Sequence, residues 1–285
     1  MENNMLTRVV FNQKGGVGKS SITVNLAAIS AAQGYRTLVI DLDPQSNSSQ
    51  YILGSAHDSL HTGAELPTFS PNMYHFFEEV VAQPQGKGIL GSAIGSILNN
   101  KIKGLDAVIH QSPFPNLHVI PSSAELGSLE HALESKHKIY KLRDALQKIA
   151  SQYDRVYIDT PPAFNFFTLS ALIASNRVLI PFDCDVFSHR ALLTLLENVV
   201  ETRQDHNDDL TVEGVIVNQF QAQAKLPKEI VAQLRQDQLP VFDTMLPPSV
   251  MMKESHLKNL PLIHLAADHK LTQTYRQLFD EIERE

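Results

Sequence analysis

Short apolar runs recur along the chain, each separated by stretches in which apolar residues return every three or four positions. The first run, Arg8 to Phe11, leads into a glycine-rich turn and then into Ser20 to Gln33, where the apolar spacing is helical. Gly34 stops that helix, because glycine accepts the left-handed backbone that a helix C-terminus requires. Thr37 to Ile40 follows as a β-branched apolar strand ending in Asp41. Strand, loop, helix, strand is a βαβ unit, and such units pack into parallel sheets.

Further buried strands are predicted at Leu117 to Ile120, Val156 to Ile158, Val178 to Ile180 and Val215 to Val217, with a short one at Val241 to Met245. These runs lack polar alternation, as expected of strands covered on both faces by helices. Helices are predicted at Lys138 to Ala150, where Ile139, Leu142, Leu146 and Ile149 form one stripe, at Leu192 to Val200, and at Leu271 to Ile282. From Gly54 to Pro115 the pattern breaks into Gly, Ser, Pro and His clusters around short apolar segments such as Ile89 to Leu98. This region reads as helices and long loops decorating the sheet edge. The expected fold class is α/β, a mostly parallel twisted sheet with helices on both faces, formed as a single domain over residues 1–285.

Composition narrows the function classes. With 43% hydrophobic and 19% charged residues, the chain can fill a sizeable core. A net charge of −7 argues against a surface devoted wholly to nucleic acid, while leaving room for a local basic face. The single cysteine, Cys184, excludes an internal disulfide and any multi-cysteine metal or cluster site, and it fits a reducing cytoplasm. Flanked by Asp183 and Asp185, it reads as structural, since neighbouring carboxylates disfavour a thiolate. No apolar stretch approaches the roughly 18 residues of a membrane span, and Met1 to Thr7 carries no signal pattern. The twelve histidines are scattered; His57 and His61 fall four apart among Gly and Pro, off any convincing helix, and read as ordinary histidines, not ligands.

The chemistry concentrates in Asn12-Gln13-Lys14-Gly15-Gly16-Val17-Gly18-Lys19-Ser20-Ser21. Glycines between a strand and a helix let backbone N–H groups converge on phosphate oxygens, and the helix N-terminus adds partial positive charge. Lys19 is placed to reach the β- and γ-phosphates of ATP, and the Ser20 hydroxyl to ligate Mg²⁺. The spacing G-x-x-x-x-G-K-[ST] calls for glycine at position 13, where this chain has Gln13, and Lys14 is an additional cation just before the glycines. From chemistry alone Lys14 could serve the nucleotide of its own subunit or of a neighbouring one. Asp41-Leu42-Asp43-Pro44-Gln45 ends one strand and Arg155 to Asp159, followed by Thr160-Pro161-Pro162, ends another, on the side where ligands of parallel sheets gather. An aspartate so placed can hold Mg²⁺ through water. Two carboxylates can divide the work, Asp159 for the metal and Asp43 for the attacking water.

These segments resemble the ParA/MinD family of deviant-Walker P-loop ATPases. The resemblance rests on Lys14 to Ser20, Asp41 to Gln45 and Asp159 to Pro162. It extends through Ala124 to Leu126, Tyr140 to Leu146, Leu246 to Val250 and Glu254 to His256. It covers nearly the whole chain and is strongest to the small ParA/Soj-type branch. It implies slow, partner-stimulated hydrolysis of ATP with Mg²⁺ in a homodimer that sandwiches ATP. Lys14 would reach the partner subunit's phosphates, Asp43 would position the hydrolytic water, and Asp159 to Pro162 would form a switch responding to the γ-phosphate. Lys14, Gly15, Gly16, Val17, Gly18, Lys19, Ser20 and Ser21 would cradle the nucleotide, and Asn218, Leu246, Pro247 and Pro248 would hold adenine. Such proteins bind nucleoid DNA non-specifically in the cytoplasm, and a cargo-bound partner stimulates hydrolysis and releases them.

One departure is visible. Where relatives carry DNA-touching arginines, this chain has Pro248 and Met251, so DNA contact would fall to Lys253, Lys258, Lys270 and Arg276, or to Lys225, Lys228 and Arg235. Two rivals follow from the same resemblance. A MinD-type protein docks on membranes through a C-terminal amphipathic helix, but the polar face here carries Asp280, Glu281, Glu283 and Glu285 against only Arg276 and Arg284, where membrane helices favour basic residues. A metabolic ATP-dependent enzyme would need a second substrate pocket, which no motif identifies.

Overall fold

Apolar, β-branched segments too short for helices pair laterally to bury both faces. In this computed structural model, which describes residues 5–54, 68–82, 104–185 and 188–284, they form seven strands. These are β1 (Leu6–Val10), β2 (Thr37–Asp41), β3 (His110–Gln111), β4 (Leu117–Ile120), β5 (Arg155–Asp159), β6 (Arg177–Asp183) and β7 (Thr211–Asn218). They make one sheet in the order β3-β4-β2-β5-β1-β6-β7, parallel throughout except for the antiparallel pair of β3 with β4 at one edge. The register places Val10 beside Asp159 and Asp41 beside Asp159, so the carboxyl ends of β1, β2 and β5 stop at one level. That alignment brings the glycine loop and both aspartate segments together.

The helices are α1 (Lys19–Ala32), α2 (Asn47–Leu53), α3 (Met73–Ala82), α4 (Glu130–Ser135), α5 (Lys141–Ile149), α6 (Phe166–Ile173), α7 (Ser188–Asp205), α8 (Lys225–Gln236), α9 (Val250–Lys258), α10 (Leu262–Leu265) and α11 (Lys270–Ile282). Alternate strand residues enter opposite cores, as a period of two requires. Val9, Leu38 and Ile40 pack with Leu142, Leu146, Phe167 and Leu195 on one face. Val10, Val39 and Tyr157 pack with Ile22, Leu26, Tyr275 and Leu278 on the other. Helix α1 is buried along nearly its whole length, and it ends as expected at Gly34, whose φ is 96°.

The structure departs from the sequence reading in several places. Val241 to Met245 is not a strand: only Val241 bridges to Val215, because Pro240 offers a carbonyl but no N–H to continue a ladder. Phe242 instead packs on Gly214, where a Cβ would stand 2.4 Å from the ring. Helix α7 runs well beyond Leu192 to Val200 at both ends, through polar residues that carry no periodic signal. Helices α2, α4, α6, α8, α9 and α10 are not among the predicted ones; α8 carries a helical apolar stripe with Val231 and Leu234 buried, whereas α9 carries none. In the poorly legible region, α3 and β3 stand near the sheet edge, and Ile89 to Leu98, His57 and His61 lie outside the described residues.

At the opposite end of the sheet, Arg8 is buried with its guanidinium bonded to both Glu213 oxygens (2.8 and 2.9 Å) and to Glu283 Oε1 (2.6 Å). Glu283 follows the last turn of α11 and also binds Arg155 at 2.6 Å. Two arginines and two glutamates thereby fix the C-terminal helix against the strands. Its apolar stripe, Leu271, Tyr275, Leu278, Phe279 and Ile282, is at most 3% exposed.

Candidate nucleotide site

The segment between β1 and α1 folds as a loop because glycine occupies its left-handed positions. Gly16 has φ 77° and Gly18 has φ 93°. A Cβ on Gly15 or Gly16 would meet open space, so their backbone faces a cavity, whereas one on Gly18 would stand 2.3 Å from Asn218 Nδ2. That close approach lets Asn218 donate to the Val17 carbonyl at 2.9 Å. At the other end of the loop, Asn12 donates to the Pro181 carbonyl at 2.7 Å and accepts from the Lys14 N–H at 2.9 Å. The loop is pinned to β6 and β7, leaving its inner N–H groups to bind an anion.

Lys19 is only 7% exposed, and its ammonium donates back to the Lys14 carbonyl at 3.2 Å. Burial lowers its pKa, opposed by the negative charges of Asp159 and Asp43. Asp159 is fully buried: Oδ2 accepts from Ser48 Oγ at 2.7 Å, while Oδ1 has no hydrogen-bond partner among the described residues. Burial raises the Asp159 pKa; the hydroxyls of Ser20 and Ser48 and the charge of Lys19 oppose this, while Asp43 adds to it. Asp43, 6% exposed, accepts from the Gln45 N–H at 2.9 Å and is likewise raised by burial.

Asp41, not singled out for a role in the sequence reading, organises this corner. It accepts from the Ser49 N–H and hydroxyl (2.8 and 2.7 Å) and from the Asp43 N–H (3.1 Å). Complete burial beside Asp159 raises its pKa well above the usual carboxylate range. The adjacent pair Ser48-Ser49 just after the aspartate motif is the available signal.

Two cavities flank the loop. One, of about 520 Å³, is lined by Gly15, Lys19, Ser20, Asp43 and Pro162 among others. The second, of about 510 Å³, is lined by Asn218, Pro247, Pro248, Met252 and Tyr275 among others. Leu246 lines neither: it is fully buried, with its N–H bonded to Val217 and its carbonyl to Phe220, so it supports the turn. Lys14 also lines neither cavity. Its ammonium pairs with Asp183 at 3.5 Å and with Asp185 of the same chain, with the side chain 38% exposed. Cys184, between those carboxylates, has its thiol pushed up to about 11 by burial and by both neighbours.

A glycine loop opening a buried helix, beneath aspartates from neighbouring parallel strands, defines a P-loop nucleotide-binding protein. Comparison with known proteins makes this specific. The family described as an AAA domain matches residues 5–212. The Myxococcus xanthus chromosome partitioning protein ParA is 29% identical over 275 residues, 96% of this chain and 86% of that protein. The Treponema pallidum chromosome-partitioning ATPase Soj is 29% identical over 280 residues, covering 97% and 96%. Among solved structures, an ATP complex of a Cyanothece McdA variant superposes with a TM-score of 0.76 at 20% identity, covering 98% and 97%. The Mycobacterium smegmatis cobyrinic acid a,c-diamide synthase with bound ADP and magnesium gives 0.73 at 23%, covering 98% and 94%. At such identities these structures establish a shared fold. The chain belongs to the AAA-domain family that matches it, within the ParA/MinD group of P-loop ATPases.

Proposed function

We propose that this protein is a partitioning or positioning ATPase that binds ATP with Mg²⁺, dimerises around it and hydrolyses it slowly. The observation that carries the reading is the meeting of Lys19, Ser20, Asp43 and Asp159 at the phosphate loop, with Asp159 Oδ1 buried and unpartnered among the described residues. An orphaned buried carboxylate oxygen costs free energy unless a ligand satisfies it. A hydroxyl and carboxylates form an oxygen donor set suited to Mg²⁺. Ser20 and Asp159 would hold the ion, which when bound neutralises charge on the β- and γ-phosphates.

The chain's own groups do the rest. The glycine-loop N–H groups orient the phosphates, and Lys19 turns from the Lys14 carbonyl to the β- and γ-oxygens. Asp43 orients the water that attacks the γ-phosphorus as the bond to the β-phosphate oxygen breaks, giving ADP and phosphate. Asn218, Pro247 and Pro248 receive adenine in the second cavity. Lys14 leaves Asp183 and Asp185 to reach the partner subunit's phosphates. Charge-assisted contacts of that kind contribute about 1.5–3 kcal/mol each, so loss of the γ-phosphate weakens the dimer by about one to two decades per contact.

In the ATP state the dimer binds nucleoid DNA non-specifically in the cytoplasm, and a cargo-bound partner triggers hydrolysis and release. The exposed Lys253 and Lys258 on α9 are the favoured DNA contacts, because Lys225 and Arg235 on α8 already pair with Glu229 and Asp243. Burial of the α11 stripe argues against membrane docking through that helix. Malachite-green phosphate release with Lys19→Ala and Asp43→Ala tests the assignment. Both variants lose turnover, and Asp43→Ala retains ATP; full activity in Lys19→Ala would overturn it. A salt titration of ATP-dependent duplex binding should show the steep loss that phosphate contacts produce, and no binding at low salt would remove the DNA role.

A further inference from the structure

The two cavities share four lining residues: Gly16, Gly18, Ser21 and His256. Three belong to the glycine loop and the first turn of α1. His256 alone is brought there from elsewhere, on α9, beyond the proline turn. Its Nε2 stands 2.9 Å from Ser21 Oγ, and its ring meets Tyr51 edge to face, centroids 4.8 Å apart at 89°. Tyr51 is fixed in turn: its hydroxyl bonds to Ser255 and accepts from Asn25 Nδ2 at 3.2 Å. Asn25 Oδ1 accepts from the Leu262 N–H at 2.8 Å. The imidazole is thus held from α1, α2 and the α9–α10 turn together.

The first cavity offers cation and carboxylate groups suited to terminal phosphates and Mg²⁺. The second offers proline, methionine and tyrosine surface with the amides of Asn218 and Gln219, suited to a base. A nucleotide lying across both must pass its linking segment through the residues they share. Ser21 lies in the first turn of α1, where backbone N–H groups lack intrahelical acceptors and favour phosphate. The geometry points to His256 as a nucleotide-contacting residue that, with Ser21, binds the α-phosphate of ATP at the junction of the two cavities. Although the residue is exposed overall, partial desolvation of the ring lowers its pKa from the ordinary 6.5, which favours the neutral form with one N–H donor. This inference rests on the ATP reading of the cavities and adds a contact to the phosphate next to the ribose.

The test is isothermal titration of the full chain with Mg²⁺ and a set of probes: ATP, ADP, tripolyphosphate, and the two diastereomers of ATP bearing sulfur on the α-phosphate. His256→Ala should weaken ATP and ADP equally, by about tenfold, the worth of one hydrogen bond to a charged acceptor. Tripolyphosphate, whose third phosphate can occupy the α position, should weaken by a similar factor. Wild type should prefer one sulfur diastereomer, His256→Ala should lose the preference, and His256→Gln should recover most of the ATP affinity through its amide donor. Undiminished ATP binding in His256→Ala, or a diastereomer preference that it keeps, would overturn the proposal. If His256→Ala does not fold, His256→Phe, which fills the space without a donor, decides: a lost preference supports the contact and a kept one refutes it. Failure of wild type to bind any probe would instead refute the ATP site itself.

Discussion

Replacing Arg8 by methionine removes the guanidinium that joins β1, β7 and the C-terminal helix. Glu213, whose side chain is 6% exposed, then loses both of its bonds, while Glu283 keeps Arg155 at 2.6 Å. Arg8 itself is 2% exposed at the side chain, so solvent screening does little to soften the loss. Leaving one buried member of an ion pair uncompensated costs about 3–5 kcal/mol. Unfolding entropy scales at about 2.1 cal/mol/K per residue, or about 0.6 kcal/mol/K for a chain of this length, so the melting temperature should fall by about 5–8 °C. Replacing Glu213 by methionine as well removes the stranded charge and should recover most of the loss. Circular dichroism melts of the nucleotide-free protein measure both. A fall under about 2 °C in the single variant, or a double variant no more stable than the single, would refute the claim that this cluster locks α11 to the sheet.

Three other outcomes follow. Glu283 sits below its ordinary pKa of 4.5 because Arg155 and Arg8 outweigh the burial that opposes them; a depressed carboxylate stabilises above its unfolded pKa and loses that contribution as pH falls through the folded one. Wild type should therefore shed stability in acid melts below about pH 4.5, and Glu283→Gln should lack that component. Asp159→Asn removes a buried negative charge beside Asp41, so it should raise the nucleotide-free melting temperature while abolishing Mg²⁺-dependent ATP turnover; an unchanged or lower melting temperature contradicts the reading of its raised pKa. Asp185→Asn frees Lys14 from a pair that is 38% and 40% exposed, worth about 0.2–1 kcal/mol. With two such lysines per dimer, sedimentation should show ATP-dependent association tightened by about 2- to 30-fold, and weaker association would contradict it.

How much of this is legible in the sequence depends on where physical signals are local. The strand at Leu117 to Ile120 is legible to the residue, and those containing Val39, Ile158 and Leu179 to within a few, because buried parallel strands are unbroken apolar runs. The glycine loop is legible because Gly16 and Gly18 need backbone freedom that sequence displays directly. Helix α9 is not, since it carries no apolar stripe; its start is set by Ser249, whose Oγ accepts from the Met251 N–H at 3.2 Å. His256 stands out only as part of a family motif, because its meeting with Ser21 is a contact across 235 positions that no periodicity encodes. Asn218 reads from the resemblance as an adenine contact; the structure places it on the second cavity and also gives it the Val17 carbonyl to hold. Lys14 reads as a residue reaching outward, and its pairing with Asp183 and Asp185 depends on loop geometry that spacing alone does not fix.

The ATP-sandwich account is tested most directly by light scattering of the full chain with Mg²⁺ and a non-hydrolysable ATP analogue. The mass should double from the 31.7 kDa of one chain in wild type and in Asp43→Ala, and stay at the single-chain value in Lys14→Ala. A wild-type protein that remains a monomer, or a Lys14→Ala variant that doubles equally well, would contradict it.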